Sequence, residues 1–195
     1  MKLKMKNSEV YQWIIEEENR RKILMAINQP ITAKQLSQRT GILVDTCSYL
    51  VAKFTIKGLL ICLNPGAIKS RLYWLTKFGI RCRKQLHIDS NLLYKEYDLP
   101  DINCHIYGWV NFNHRSAIIK ILTTPMQPAE IKKALRIRRP NIKISANNVR
   151  DIIKLFLARN IVRPVKIRKK AHPAYELTDL GTKLRQLLLR ADAAL

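Results

Sequence analysis

A chain of 195 residues with 36 Lys and Arg against 14 Asp and Glu carries a formal net charge of +22. Such an excess repels itself unless a polyanion is the partner, which puts nucleic acid first and an acidic membrane surface second. Apolar residues make up 47% of the chain, enough for two modest cores, which argues against disorder of the whole.

From the N-terminus, Val10, Trp13 and Ile14 and then Ile23, Leu24 and Ile27 predict helix over 8–28, with the charged stretch 16–22 as the place for a break. Pro30 stops it. Thr32, three residues before Gln35, is a capping-box signal for a short helix anchored by Leu36 and ended near Gly41. Asp45 is the expected N-cap of the next helix, whose buried stripe is Cys47, Leu50, Val51 and Phe54 and which closes at Gly58. A strand over 59–63, a turn at Asn64-Pro65-Gly66 and a returning strand over 71–75 follow. Thr76 then caps a helix running to about Leu86.

Residues 89–112 hold Tyr94, Tyr97, Tyr107, Trp109 and Phe112, too aromatic for a free tether, and read as a packed linker. A second series starts near Asn113, where Ile118, Ile119, Ile121 and Leu122 bury a helix. Pro128 and Glu130 suit the first and third positions of the next helix. Ser145 caps a third, Ile161 and Val162 begin a strand, 166–173 make a turn, and Thr178 starts the last helix.

The second series repeats the first. Leu75-Thr76-Lys77-Phe78-Gly79 returns 102 residues later as Leu177-Thr178-Asp179-Leu180-Gly181. The Cys47, Leu50, Val51, Phe54 stripe returns at the same displacement as Val149, Ile152, Ile153 and Phe156. Thr32, Ala33 and Gln35 correspond to Gln127, Pro128 and Glu130 at a displacement of 95, so seven residues are added within a basic insertion at 136–144. The expected organisation is a first domain over 8–88, a linker over 89–112 and a second domain over 113–192.

Three helices, a two-stranded hairpin and a further helix resemble a winged helix-turn-helix. The Leu-Thr-x-x-Gly pairs, and the run Ile42-Leu43-Val44-Asp45-Thr46-Cys47-Ser48-Tyr49-Leu50 followed by Phe54 and Lys57-Gly58-Leu59-Leu60, are similar to MarR-like regulators. The resemblance covers about 20–87 and 113–190. It implies an α+β, mostly α, chain with two winged helix-turn-helix domains in tandem, each of three helices, a β-hairpin wing and a C-terminal helix. The second copy departs from the pattern at its insertion and at Asn160, which stands where the first has Gly58. MarR-like proteins carry one unit per chain and dimerise. Two units in one chain also resemble plasmid replication initiators.

A recognition helix works because the major groove admits one helix and displays base edges to it. In the first copy the face opposite the stripe carries Thr46, Ser48, Tyr49 and Lys53, a weakly charged set. In the second it carries Asn147, Asn148, Arg150, Asp151 and Lys154. Asn suits adenine and Arg suits guanine, so this helix reads as the better reader. Lys69 and Arg71 flank the first wing, and Lys166, Arg168, Lys169 and Lys170 crowd the second. With Arg138 and Arg139 of the insertion, they are the expected phosphate contacts.

Cys47, Cys62, Cys82 and Cys104 form no C-x-x-C pair and no His lies at finger spacing, so neither a zinc site nor a disulfide framework is expected. No cofactor is expected. The N-terminus lacks a signal-peptide apolar stretch and no run suits a membrane span, which implies a cytoplasmic, nucleoid-associated protein. No Gly-rich phosphate loop or nucleophile–base pair stands out, and the expectation is a non-enzyme. The reading is a sequence-specific double-stranded DNA-binding transcriptional regulator. Its alternatives are a replication initiator and a protein–protein assembly scaffold, and homodimerisation is left open. Leu184, Leu187, Leu188 and Leu189 suit a dimer interface or the second core equally.

Overall fold

The computed structural model describes residues 7–95, 98–166 and 173–193. These form α1 (Asn7–Ile15), α2 (Glu18–Ala26), α3 (Ala33–Thr40), α4 (Val44–Ile56), β1 (Leu60–Cys62), β2 (Tyr73–Leu75) and α5 (Lys77–Asp89). There follow α6 (Cys104–Val110), α7 (Asn113–Ile121), α8 (Pro128–Arg138), α9 (Ala146–Leu157), β3 (Val162–Val165), β4 (Ala174–Leu177) and α10 (Asp179–Ala193). The chain divides into two compact units, Met1–Gly108 and Trp109–Ala193, each mostly helical with one small antiparallel hairpin.

Local chemistry sets the helix ends. Thr32 and Gln35 form a reciprocal capping box at α3, which Gly41 ends with φ 71°. Gln127 and Glu130 do the same for α8, with Pro128 at its start. Ser145 Oγ accepts from the Asn148 amide at 3.1 Å and starts α9. Asp45 is not a cap. Leu43 occupies the N-cap without a side-chain bond, and Asp45 sits in the first turn of α4, where the helix dipole favours a carboxylate. The predicted 8–28 helix is broken between Ile15 and Glu18. The Trp13 carbonyl near this break accepts from Arg20 Nη1 at 2.7 Å.

The Leu-Thr-x-x-Gly repeat has one structural meaning in both units. Thr76 Oγ1 donates to the Gly58 carbonyl at 2.6 Å and accepts from the Gly79 amide at 3.1 Å. Thr178 Oγ1 donates to the Asn160 carbonyl at 2.6 Å and accepts from the Gly181 amide at 3.2 Å. Gly58 and Asn160 both have positive φ, 74° and 53°, at the turn from helix into hairpin. Each threonine therefore ties that turn to the first turn of the last helix. The strand registers correspond as well: Leu60 faces Leu75 and Val162 faces Leu177. A third segment joins each hairpin through a doubly bonded bridge, Ile31 with Tyr73 and Met126 with Tyr175.

The first core includes Ile14, Ile23, Leu24, Ile27, Leu36, Cys47, Leu50, Val51 and Phe54, all buried. In the second unit Ile118, Ile119, Ile131, Leu135, Val149, Ile153, Phe156 and Leu184 are buried. Leu187 and Leu188 are buried too, so these leucines of α10 close the second core and are not a free face. All four cysteines are free, and burial pushes the Cys82 thiol up to about 11.

Two further correspondences escape a reading anchored on Leu-Thr-x-x-Gly. Tyr11, Trp13 and Ile14 of α1 return 96 residues later as Tyr107, Trp109 and Val110 of α6. Segment 89–112 thus contains the counterpart of α1. Trp13 meets Phe54 edge-on at 5.6 Å, with Arg20 and Lys57 at 4.3 and 4.6 Å from its ring. Trp109 meets Phe156 edge-on at 5.9 Å, with Arg115 and Arg159 at 4.3 and 4.1 Å. These cations cover the indole while their own charge is offset by the ring. Burial and then the charge of Arg159 lower the pKa of Arg115.

The other repeated device uses arginine on the last helix. Arg83 Nη1 donates to the Ile27 carbonyl at 2.7 Å, and Arg185 Nε donates to the Lys120 carbonyl at 3.2 Å. Each guanidinium satisfies a carbonyl at the end of the unit's second helix, where the dipole is negative. Arg83 is almost fully buried and also donates to the Lys95 carbonyl at 3.2 Å. Arg83→Met leaves those buried acceptors without their charged donor. The expected loss is about 2 kcal/mol, read by urea denaturation.

Candidate nucleic-acid interface

α9 is apolar on one side and polar on the other because Val149, Ile153 and Phe156 recur at helical spacing. Its outer side carries Asn147, Asn148, Arg150, Asp151 and Lys154, all exposed. Arg150 Nη1 donates to Asn147 Oδ1 at 3.2 Å, which draws the two side chains together on the first turns. Asp151 and Lys154 lie 3.9 Å apart and are largely exposed, so the pair is too weak to sequester either group. Asn147, Asn148, Arg150 and Lys154 are therefore one contiguous set of donors and acceptors on a single helix.

α4 differs at the corresponding positions. Thr46 and Lys53 are half-buried, and Ser48 and Tyr49 are exposed. Ser48 Oγ donates to the Val44 carbonyl at 2.8 Å, which commits its proton to the helix backbone. Lys53 lies 5.3 Å from the Tyr49 ring centre. Ile56, Leu43 and Val44 are also exposed, so much of the outer surface of α4 is apolar. Ile56 lies two turns after Tyr49, and that spacing puts both on one face of α4.

The first hairpin is a built loop. Asn64 is buried, its Oδ1 accepts from the Leu72 amide at 2.7 Å, and its Nδ2 donates to the Ser70 carbonyl at 3.2 Å. Lys69 and Arg71 are exposed beside it, and Arg71 Nε donates to the Ala67 carbonyl at 2.9 Å. In the second hairpin Lys166 is exposed, while Arg163 pairs with Glu176 at 2.7 Å. Arg168, Lys169 and Lys170 lie outside the described residues. Arg138 is exposed at the end of α8. Arg139 follows it but contacts Asp192 of α10 at 3.4 Å, and Lys120 contacts the same carboxylate at 2.9 Å. Arg139 is thus partly engaged within the unit.

Among the described residues no group of three His, Cys, Asp or Glu side chains is placed to hold a metal ion, and no helix is long and apolar enough to cross a membrane. Cys104 Sγ donates to the Ile102 carbonyl at 3.7 Å, and burial raises its pKa, which works against a thiolate beside His105.

No protein-family model, curated protein or solved structure matches the chain.

Proposed function

We propose that this is a sequence-specific duplex-DNA-binding protein of tandem winged-helix type, acting in transcriptional regulation, with α9 as its base-reading helix. The observation that carries the reading is the outer side of α9. There Asn147, Asn148, Arg150 and Lys154 stand together on an exposed helix of a chain whose net charge is +22. Arg with two donors matches the guanine O6 and N7 pair, and Asn matches adenine N6 and N7. The exposed Lys69, Arg71, Arg138 and Lys166 supply the sequence-independent contacts to phosphate. A replication initiator would use the same contacts on directly repeated origin sites, and footprinting on the native replicon separates the two roles.

Selection of bound sites from random duplex tests the reading. A defined motif is expected, and on it Arg150→Ala should weaken binding about 10- to 100-fold while relaxing one base position. Fluorescence anisotropy on the selected and a scrambled duplex reads both effects. Absence of duplex binding at low salt, or an equal loss on both duplexes, overturns the role given to α9.

A further inference from the structure

We infer that α4 is a self-association surface, pairing with α4 of a second copy of this chain in antiparallel fashion about a twofold axis through Tyr49. The outer stripe of α4 runs through Asp45, Tyr49, Ala52 and Ile56, spaced at i, i+4, i+7 and i+11, and these four residues are exposed. Tyr49 and Ile56 expose 59% and 67% of their surface, so the stripe presents two large side chains between the charged ends of a regular helix.

The stripe matches itself. Under a twofold axis at Tyr49, residue i of one copy meets residue 98 − i of the other. Asp45 then meets Lys53 twice, as opposite charges. Thr46 meets Ala52, and Tyr49 meets its own copy. Isologous interfaces require this self-match, whereas an unrelated partner does not. The small pair at 46 and 52 lets the helix axes approach to about 8–10 Å. Among the described residues neither Asp45 nor Lys53 forms an ion pair within the chain.

The second unit supplies the contrast. At the positions displaced by 102, Asp45, Thr46, Ser48, Tyr49 and Ala52 are replaced by Asn147, Asn148, Arg150, Asp151 and Lys154. The same pairing of α9 would set two Asp151 carboxylates against each other at its centre. The two helices have therefore diverged, one toward a polar face rich in Asn and Arg and one toward a self-complementary face.

A helix of 13 residues is about 20 Å long, which buries less than a standard interface. The dimer is accordingly weak and concentration-dependent. Repulsion between two chains of +22 opposes it, so salt strengthens it, the reverse of the effect on DNA binding. Sedimentation equilibrium of the full chain in 0.5 M salt (roughly a 4 Å screening length) tests the inference without nucleic acid. Its failure therefore leaves the DNA reading standing. A monomer–dimer equilibrium is expected. Asp45→Lys and Lys53→Asp each weaken it about tenfold or more, and the double variant Asp45→Lys with Lys53→Asp restores it. A wild-type chain that is monomeric at the highest attainable concentration overturns the inference. So does a dimer indifferent to Asp45→Lys, or a double variant no better than the single ones.

Discussion

Raising the salt from 50 to 200 mM is expected to weaken duplex binding by about a thousandfold or more. The magnitude follows from counterion release: six to ten neutralised phosphates give a loss of about 10³–10⁵ over that range. Six exposed basic residues, Lys69, Arg71, Arg138, Arg150, Lys154 and Lys166, form a minimum candidate set. Arg168, Lys169 and Lys170 enlarge it by sequence. A plot of log affinity against log salt should have a slope near −8 when all nine engage phosphate, of which the six described residues give about −5. Lys169→Glu with Lys170→Glu should flatten that slope by about 2 and weaken all duplexes alike, because phosphate contacts carry no base information. A slope near zero would remove the electrostatic basis of the proposed function. Function left unchanged by the double charge reversal would favour a scaffold whose partner is a protein.

Alanine at Gly79 or Gly181 should be among the most destabilising single changes in the chain. A Cβ on Gly79 would lie 2.1 Å from the Leu59 carbonyl oxygen, and one on Gly181 would lie 2.2 Å from the Ile161 oxygen. In both cases the obstacle is backbone. It also accepts the Thr76 or Thr178 amide at 3.0 or 3.1 Å, so it cannot retreat without breaking the turn. The expected loss is about 3 kcal/mol or more, which lowers Tm by about 15 °C in a unit of this size. Gly66→Ala is the control, since a Cβ there meets nothing within 4 Å. Calorimetry of the full chain that shows Gly79→Ala and Gly66→Ala equally harmless would refute this account of the repeated glycine.

Local signals made much of the architecture legible. The Thr32–Gln35 box, Ser145 and the stripes on α4 and α9 act within one or two helical turns, so residue spacing alone reveals them. Asp suits both an N-cap and a first turn, and at Asp45 only the backbone at Leu43 decides between them. α6 is hidden from the repeat pattern because its displacement is 96 and the Leu-Thr-x-x-Gly motif is displaced by 102. Tyr-x-Trp was the available signal. The candidate interface divides in the same way. The polar side of α9 follows from its periodicity. The engagement of Arg139 by Asp192 spans 53 residues, and no local pattern announces a contact of that kind.

The paired indole clusters give each half of the chain its own optical reporter. The three tryptophans are Trp13, Trp74 and Trp109, and Trp109 alone belongs to the second unit. Its emission is governed by two guanidinium groups stacked within 4.3 Å of the ring, an arrangement that exists only while α6, α7 and the end of α9 are assembled. Fluorescence from a chain retaining only that indole therefore follows the melting of one module against the silent background of its twin.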